Sequence, residues 1–586
     1  MNIPTFDLEG MFTNYRQGKF VEVIKTIIEM VKHFNTSCYT QLDRVEKQKF
    51  DNCVMAAFYL LTQPDFQIPA DYAKVLVNVN HILTNMLLTT GVMTPDGLLQ
   101  RVLIQDNNFT KIAILMTCHT PLKVEPDALF QLNAELASVW WLNYQTAAIG
   151  TLTQEVHDRV VKHLQAAPLG LNLPDLRTAP LYFQCTYFSP ETDNVIKQAL
   201  NNQIRRKLAG AKIHSIPCKK SIAILTDRWQ PTTAVYKSCY HQIAKLTEKY
   251  DLTLVHYSED VDNRIDRGLF KEVRRVFIKP DMKSIDFSSI KNNDFQFAYF
   301  PDIGMNYESV CLSNMQVAPI MATGYGHPVS TFGSKVDYFI GGIDAEVPEL
   351  AGVNYSERLV LIPGIGAHPV FPNYTKENPD PSEFWINCCW TSPKINYTMV
   401  KALLEIKKRA TRPVRFQFFP SWTIGRYQAA MPFIERMTEL FNGDVAIYFD
   451  TPYQEYLRML ENGRFGLDSY PFGGYNTVVD NLFVGCPMVT LEGTRFFNKA
   501  SSALMRKVGI KDLIASDVDS YIHKALLLID NPRWLKQVRE EVSAMDLRTL
   551  LVDNNEPKYF ADAIDYLVTN HSALKQENSR KPLILV

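Results

Sequence analysis

Asp468-Ser-Tyr-Pro-Phe-Gly-Gly-Tyr-Asn-Thr-Val-Val-Asp480 is the stretch on which the fold of this 586-residue chain turns. A short apolar run, Phe465-Gly-Leu467, precedes it and has the texture of a buried strand. Asn481-Leu-Phe-Val-Gly-Cys-Pro-Met-Val-Thr490 follows, and predicts a helix end, a Gly-Cys-Pro turn and another buried strand. Strand, Gly-Gly loop and polar helix start together set backbone N–H groups at a helix N-terminus, where an anion such as a phosphate is held. Asp480 lies one turn beyond Asn476, placed to accept two ribose hydroxyls while Asn476 and Thr477 face phosphates. The loop is thus a candidate site for a nucleotide or another phosphorylated ligand. The same residues also suit a tight strand-to-helix connection with Asn476 as an ordinary N-cap.

Working outward, apolar strands alternate with helical segments on both sides of this loop. Upstream are Ser221–Thr226, Leu252–Tyr257, Phe295–Phe300, Val336–Ile340 and Arg358–Ile362; around the loop are Trp385–Trp390, Val414–Phe419, Asp444–Phe449, Phe465–Leu467 and Pro487–Thr490. Such alternation predicts parallel, doubly wound sheets, with ligands beyond the carboxyl ends of their strands. A Gly- and Pro-rich stretch, 363–381, divides the two series and is expected to be an interdomain linker. Two doubly wound Rossmann-like lobes joined this way form the α/β arrangement called GT-B. Helices follow to about Val568, and the apolar end Pro582–Val586 is expected to pack back on the protein.

The first 200 or so residues carry helical periodicity instead. Val21, Ile24, Ile27, Ile28 and Val31 are expected on one apolar face. No 34-residue helical repeat emerges. The expected organisation is an all-α N-terminal domain over 1–210, a first lobe over 211–370, and a second lobe with C-terminal helices over 371–586.

Composition narrows the partners. Lys and Arg number 61 against 62 Asp and Glu, for a formal charge of −1, so no bulk field favours nucleic acid or an anionic membrane. The start of the chain has neither a basic segment nor an apolar core of signal-peptide type, and no apolar run is long enough to span a bilayer. Ten scattered cysteines suggest reduced thiols, and no Cys/His set has zinc spacing. A cytoplasmic protein without resident metal or membrane partner is the expectation.

The 468–490 stretch resembles the nucleotide loop of family 41 glycosyltransferases, the group of O-GlcNAc transferases and bacterial adhesin N-glycosyltransferases. Asp468, Pro471, Gly473 or Gly474, Asn476-Thr477, Asp480 and Gly485-Cys-Pro-Met-Val-Thr490 carry the likeness. Thr331–Ile340 and Tyr355–Pro363 are similar to the family's segment between the lobes, and Thr391-Ser-Pro-Lys394 falls where the family has its nucleotide-binding Lys. A helical N-terminus without repeats is closer to the adhesin N-glycosyltransferases. The resemblance implies transfer of glucose or another hexose from a UDP-sugar to Asn in an Asn-X-Ser/Thr sequence of an acceptor protein, with inversion and without metal. A hexosyltransferase acting on Ser/Thr or on a sugar already attached stays open, as does a non-catalytic partner of the same fold.

Site residues follow from that likeness. Lys394 would neutralise the departing diphosphate, with Thr391 beside it, while Gly474, Asn476 and Thr477 would hold phosphate and Asp480 the ribose. His327, in Gly324-Tyr-Gly-His-Pro328, would border the sugar pocket; a loop histidine is ordinarily just exposed. Gln417 and Ser421 are candidates for uracil or phosphate contact, with a structural role as the alternative. Tyr448 and Asp450 occupy a region where family members carry nucleotide-contacting histidines. Gln230 stands where the family places an acceptor-side His, and Gln is no general base at neutral pH. Asp227, at the end of the first strand, is the candidate substitute.

Overall fold

The structure, a computed structural model, describes the whole chain except residues 1–2, 37–41, 106–107, 122–124, 149–151, 259–262, 378, 380–381, 421–429 and 586. Two compact units divide it. The first comprises Met1–Pro174, Thr391–Val400 and Pro420–Asp450, and the second Asp175–Trp390, Lys401–Phe419 and Thr451–Val586.

Up to residue 174 the described secondary-structure elements of the first unit are all helices, the last being Gln154–Leu164. Helix Phe20–Thr36 buries Val23, Ile24, Ile27, Met30, Val31 and Phe34. The buried stripe is therefore rotated from the expected one: Val21 and Ile28 sit at its margin, because Met30 and Phe34 carry the apolar face further along the helix. Within this core the buried Trp140 Nε1 donates to the Met116 carbonyl at 2.6 Å. Helix Ala430–Leu440 and a short strand, Val445–Ile447, belong to the same unit.

The second unit holds both sheets. In the first lobe, strands β1 (His214–Leu225), β2 (Asp251–His256), β3 (Glu272–Arg275), β4 (Asn292–Phe300), β5 (Ile320–Thr323), β6 (Tyr338–Gly342) and β7 (Arg358–Ile362) are all parallel. The second lobe supplies β8 (Trp385–Cys388), β9 (Arg415–Phe418), β10 (Phe465–Leu467), β11 (Met488–Leu491) and β12 (Ile514–Ala515), also parallel. The chain's last strand, β13 (Leu583–Ile584), returns to the first sheet and pairs parallel with β7, giving the order β13-β7-β6-β5-β4-β1-β2-β3. The apolar C-terminal run thus closes a sheet edge that would otherwise stay unpaired. The second sheet runs β9-β8-β10-β11-β12 within this unit. Such two-lobed doubly wound sheets are the GT-B architecture.

Two helices of the N-terminal series, Ala179–Phe188 and Asp193–Lys207, lie in this second unit. Their polar residues explain the attachment. Tyr182 OH and Asn201 Nδ2 both donate to the Thr331 carbonyl at 2.8 Å, and Lys197 Nζ donates to the Ser330 carbonyl at 3.0 Å. The Gly- and Pro-rich stretch after β7 is likewise fastened: the Val370 amide donates to the Lys237 carbonyl at 2.9 Å.

Candidate functional site

The Gly-Gly loop is built around a buried carboxylate. Asp468, one residue past β10, accepts the Gly474 amide at 2.9 Å through Oδ1 and the Ser501 hydroxyl through Oδ2. Ser501 also donates to the Gly474 carbonyl at 2.7 Å, so the loop is clamped from both sides. Helix Asn476–Phe483 starts immediately after, with Tyr475 rather than Asn476 in the N-cap position and no side-chain cap bond. The Val478 and Val479 amides turn back to the Tyr475 carbonyl at 3.1 and 3.0 Å. Those of Asn476 and Thr477 have no backbone acceptor among the described residues. Two donors at the positive end of a helix dipole form a place for an anion.

Asn476 does more than open the helix. Its Nδ2 donates to the carbonyl of Ala234, the first residue of helix Ala234–Leu246 in the first lobe, at 3.0 Å. That bond joins the nucleotide loop to the opposite lobe. One turn on, Asp480 is buried at 6% exposure, and the Tyr453 hydroxyl donates to its Oδ1 at 2.6 Å. Lys237, from the same first-lobe helix, lies with Nζ 3.5 Å from the centre of the Tyr453 ring. Burial pushes the Asp480 carboxyl up to about 6, against the opposing pull of Lys237 and the Tyr453 hydrogen bond. Burial also lowers Lys237, with Asp480 acting in the other direction.

The remaining expected residues fall in several places. Gln417, in β9, turns its amide into the sheet, donating to Asn387 Oδ1 and, at 2.9 Å, to the Met459 carbonyl. Thr391 and Lys394 lie in the first unit, where the Lys394 amide donates to the Thr391 carbonyl at 2.8 Å and the Lys394 side chain is half-buried. Tyr448 and Asp450 are in that unit too, Asp450 in left-handed backbone at φ 48°. Ser421 lies outside the described residues.

His327 is not the exposed loop histidine that its setting suggests. It is buried at 2% exposure, with Nδ1 donating to the Ile303 carbonyl at 2.7 Å in the tautomer that suits that carbonyl. Phe183 stacks on its ring with centroids 4.7 Å apart. Burial, with nearby Lys197 adding to it, drives His327 down to about 3, so the ring is neutral. Its Nε2 has no hydrogen-bond partner among the described residues and is left as a buried acceptor. The stack continues beneath, where Tyr187 lies flat on Phe472 of the nucleotide loop at 4.1 Å.

Asp227 follows β1, and its Oδ1 accepts from Asn306 Nδ2 at 3.0 Å, with Arg228 Nε 3.2 Å away. Its side chain keeps 23% exposure, enough for a substrate to reach it. Sequence reading missed Lys237, Tyr453 and Asp468 as partners of the loop. Only Asp468, at the head of the same loop, carried a usable signal. Among the described residues no group of three His, Cys, Asp or Glu side chains could hold a metal ion, and no helix is long and apolar enough to cross a membrane.

Residues 436–561 match the family model Glycosyl transferase family 41. The UDP-glucose:protein N-beta-glucosyltransferase of Actinobacillus pleuropneumoniae serotype 5b (strain L20) is 24% identical over 477 residues, spanning 77% of this chain and 74% of that one. Its counterpart from serotype 7 (strain AP76) is 25% identical over the same shares. Among solved structures, a mutant of the Thermobaculum terrenum O-GlcNAc transferase superposes with a TM-score of 0.62 at 16% identity, covering 94% of this chain and 99% of that one, a likeness of fold. The stretch similar to glycosyltransferase family 41, residues 436–561, includes Asp468, the Gly-Gly loop and Asp480.

Proposed function

We propose that this protein is an inverting, metal-independent glycosyltransferase that moves glucose from UDP-glucose to the side-chain amide of Asn in Asn-X-Ser/Thr segments of an acceptor protein such as an adhesin, in the cytoplasm. The observation that carries this reading is the pairing of outward amides at Asn476 and Thr477 with a buried carboxylate one turn on. It is supported by the likeness to UDP-glucose:protein N-beta-glucosyltransferases over 77% of the chain.

In this mechanism Asp480 accepts the ribose hydroxyls and the helix start takes phosphate oxygens. Lys394, given this role by the resemblance of Thr391-Ser-Pro-Lys394, neutralises charge as the diphosphate leaves. The acceptor amide nitrogen attacks C1 of glucose from the face opposite the diphosphate. The C1–O bond breaks, its electron pair stays on the phosphate oxygen of UDP, and the amide proton passes to Asp227. His327, neutral and with a buried acceptor at Nε2, lines the sugar side.

Gln230 in place of the family's acceptor-side histidine favours a second reading, in which the same donor chemistry serves a Ser/Thr hydroxyl or an attached sugar. One experiment separates them. The protein is incubated with UDP-glucose and a peptide containing Asn-X-Ser/Thr, beside the same peptide with Asn→Gln, and products are weighed by mass spectrometry. A hexose on the Asn peptide alone supports the first reading, and equal modification of both peptides supports the second. No thermal stabilisation by UDP or any UDP-sugar would overturn both, since ligand at about 100 times Kd adds about 2.7 kcal/mol to stability.

A further inference from the structure

Strands β4, β1 and β2 end side by side in a polar cluster that donor binding does not use. Asp302, two residues past β4, is fully buried. Its Oδ1 accepts the Thr226 hydroxyl at 2.6 Å, and Thr226 Oγ1 in turn accepts the Arg228 amide at 2.9 Å. Those two bonds straddle Asp227 and fix the loop that presents it. The other oxygen of Asp302, Oδ2, has no hydrogen-bond partner among the described residues, and neither has the hydroxyl of Tyr257, the residue after β2.

The titratable and charged groups facing Asp302 are Asp227 and Arg228 on the β1 loop, Tyr257 after β2, Cys239 on helix Ala234–Leu246, and Tyr299 in β4. Arg228 is the only cation in that set, and its Nε lies 3.2 Å from Asp227 Oδ1. An ionised Asp302 would place an unsatisfied carboxylate oxygen in the interior and a second negative charge behind Asp227, both unfavourable. Burial first, and then Asp227, push the Asp302 carboxyl up to about 7, against the Thr226 hydrogen bond and Arg228.

We propose that Asp302 is a positioning residue for the acceptor step: as the neutral acid behind the β1 loop it anchors Thr226, and with it the loop that presents Asp227 to take the acceptor's proton. This rests on the assignment of Asp227 as base in the reading above. Asp302 keeps its own proton throughout, and the proton released in transfer goes to Asp227.

The test compares wild type, Asp302→Asn and Asp302→Ala. Asn can accept the Thr226 hydroxyl and is permanently neutral, whereas Ala removes the anchor. Transfer from UDP-glucose to the sequon peptide should fall at least tenfold in Asp302→Ala with UDP affinity unchanged, and Asp302→Asn should restore most of it. Wild-type transfer should decline as pH rises above about 7 while Asp302→Asn holds its rate. A second readout needs no substrate. Native Asp302 binds a proton that the unfolded chain releases between about pH 4 and 7, so wild-type stability falls over that window and Asp302→Asn escapes the fall. Its melting temperature should therefore rise relative to wild type from pH 4 to 7 and stay level above. Parallel melting curves across that range, or the same alkaline decline of transfer in wild type and Asp302→Asn, would overturn the proposal. Because melting is read without donor or acceptor, it decides the protonation of Asp302 even if UDP-glucose is the wrong donor.

Discussion

The Tyr453 hydroxyl donates to Asp480 Oδ1 at 2.6 Å, so the carboxylate assigned to the ribose already holds one internal donor. Lys237, packed on the Tyr453 ring, joins this pair from the other lobe. A buried carboxylate without donors is costly, and the tyrosine keeps the pocket stable when no nucleotide is present. A ribose hydroxyl must therefore share or displace the Tyr453 bond. Tyr453→Phe should lower unfolding stability by about 1.5–3 kcal/mol, the scale of a hydrogen bond to a charged group. It should tighten UDP binding several-fold at pH 8, because the competing donor is gone. Chemical denaturation and isothermal titration calorimetry read the two effects, and weaker UDP binding in this variant would contradict competition at Oδ1.

Titration of Asp480 gives nucleotide binding a definite pH sign. Its folded carboxyl, raised to about 6, lies above the ordinary value near 3.9, so the folded protein retains a proton that the unfolded chain loses. The contribution of this group to stability is greatest at low pH and declines as pH rises from about 4 through 6. Ribose hydroxyls donate to the ionised form, so binding runs the other way. UDP affinity should be highest above pH 6 and fall as pH drops through it, by about tenfold at pH 5. Asp480→Asn should bind weakly with a flat profile. Calorimetry at three or four pH values decides it, and a flat wild-type profile would remove Asp480 from the ribose site.

Lys394 is assigned to the leaving diphosphate, and its loss should appear in turnover more than in binding. Lys394→Ala is expected to reduce kcat by ~100-fold or more, the scale seen when a single transition-state charge stabiliser is removed. UDP affinity should change by far less. EDTA should leave the wild-type rate unaltered. Full activity in Lys394→Ala contradicts the assignment, and loss with EDTA reversed by manganese contradicts metal-independent transfer.

Most strands of the second unit were legible because they are compact apolar runs bounded by turn residues, as in Ser221–Leu225 and Phe295–Phe300, whereas the partly exposed Glu272–Arg275 and the two-residue Ile514–Ala515 were not. Ile320–Thr323 was not, since four residues without alternation give no periodic signal. The pairing of Leu583–Ile584 with β7 could not be read at all, because an isolated apolar tail does not name its partner. The Gly-Gly loop was visible through its residue types. Its supporting contacts were not: Lys237 sits mid-helix among residues of ordinary helical texture, and only tertiary packing sets it on Tyr453. Asp302 resembled any loop acid until the fold placed it behind Thr226. His327 was expected to border the sugar pocket, with simple exposure as the alternative; the helix Ala179–Phe188 covers it with Phe183, a long-range contact that no local pattern encodes.

Gly474 is held where no side chain fits. A Cβ there would lie 2.2 Å from Thr477 Oγ1 and 3.1 Å from Asp468 Oδ1. The backbone cannot slide away, because its amide is bound to Asp468 and its carbonyl to Ser501. In Gly474→Ala the Thr477 side chain must leave its rotamer or the clamp must open, and either change disturbs the two outward amides of the helix start. Overpacking of this kind costs about 1–3 kcal/mol. UDP affinity should fall at least about tenfold, equivalent to about 1.4 kcal/mol. A second substitution identifies the cause. Gly474→Ala combined with Thr477→Ala deletes the clashing oxygen and should recover the lost stability, while UDP binding stays weakened by loss of the Thr477 hydroxyl. If the double variant is as unstable as Gly474→Ala alone, crowding at Thr477 is not what requires glycine at this position.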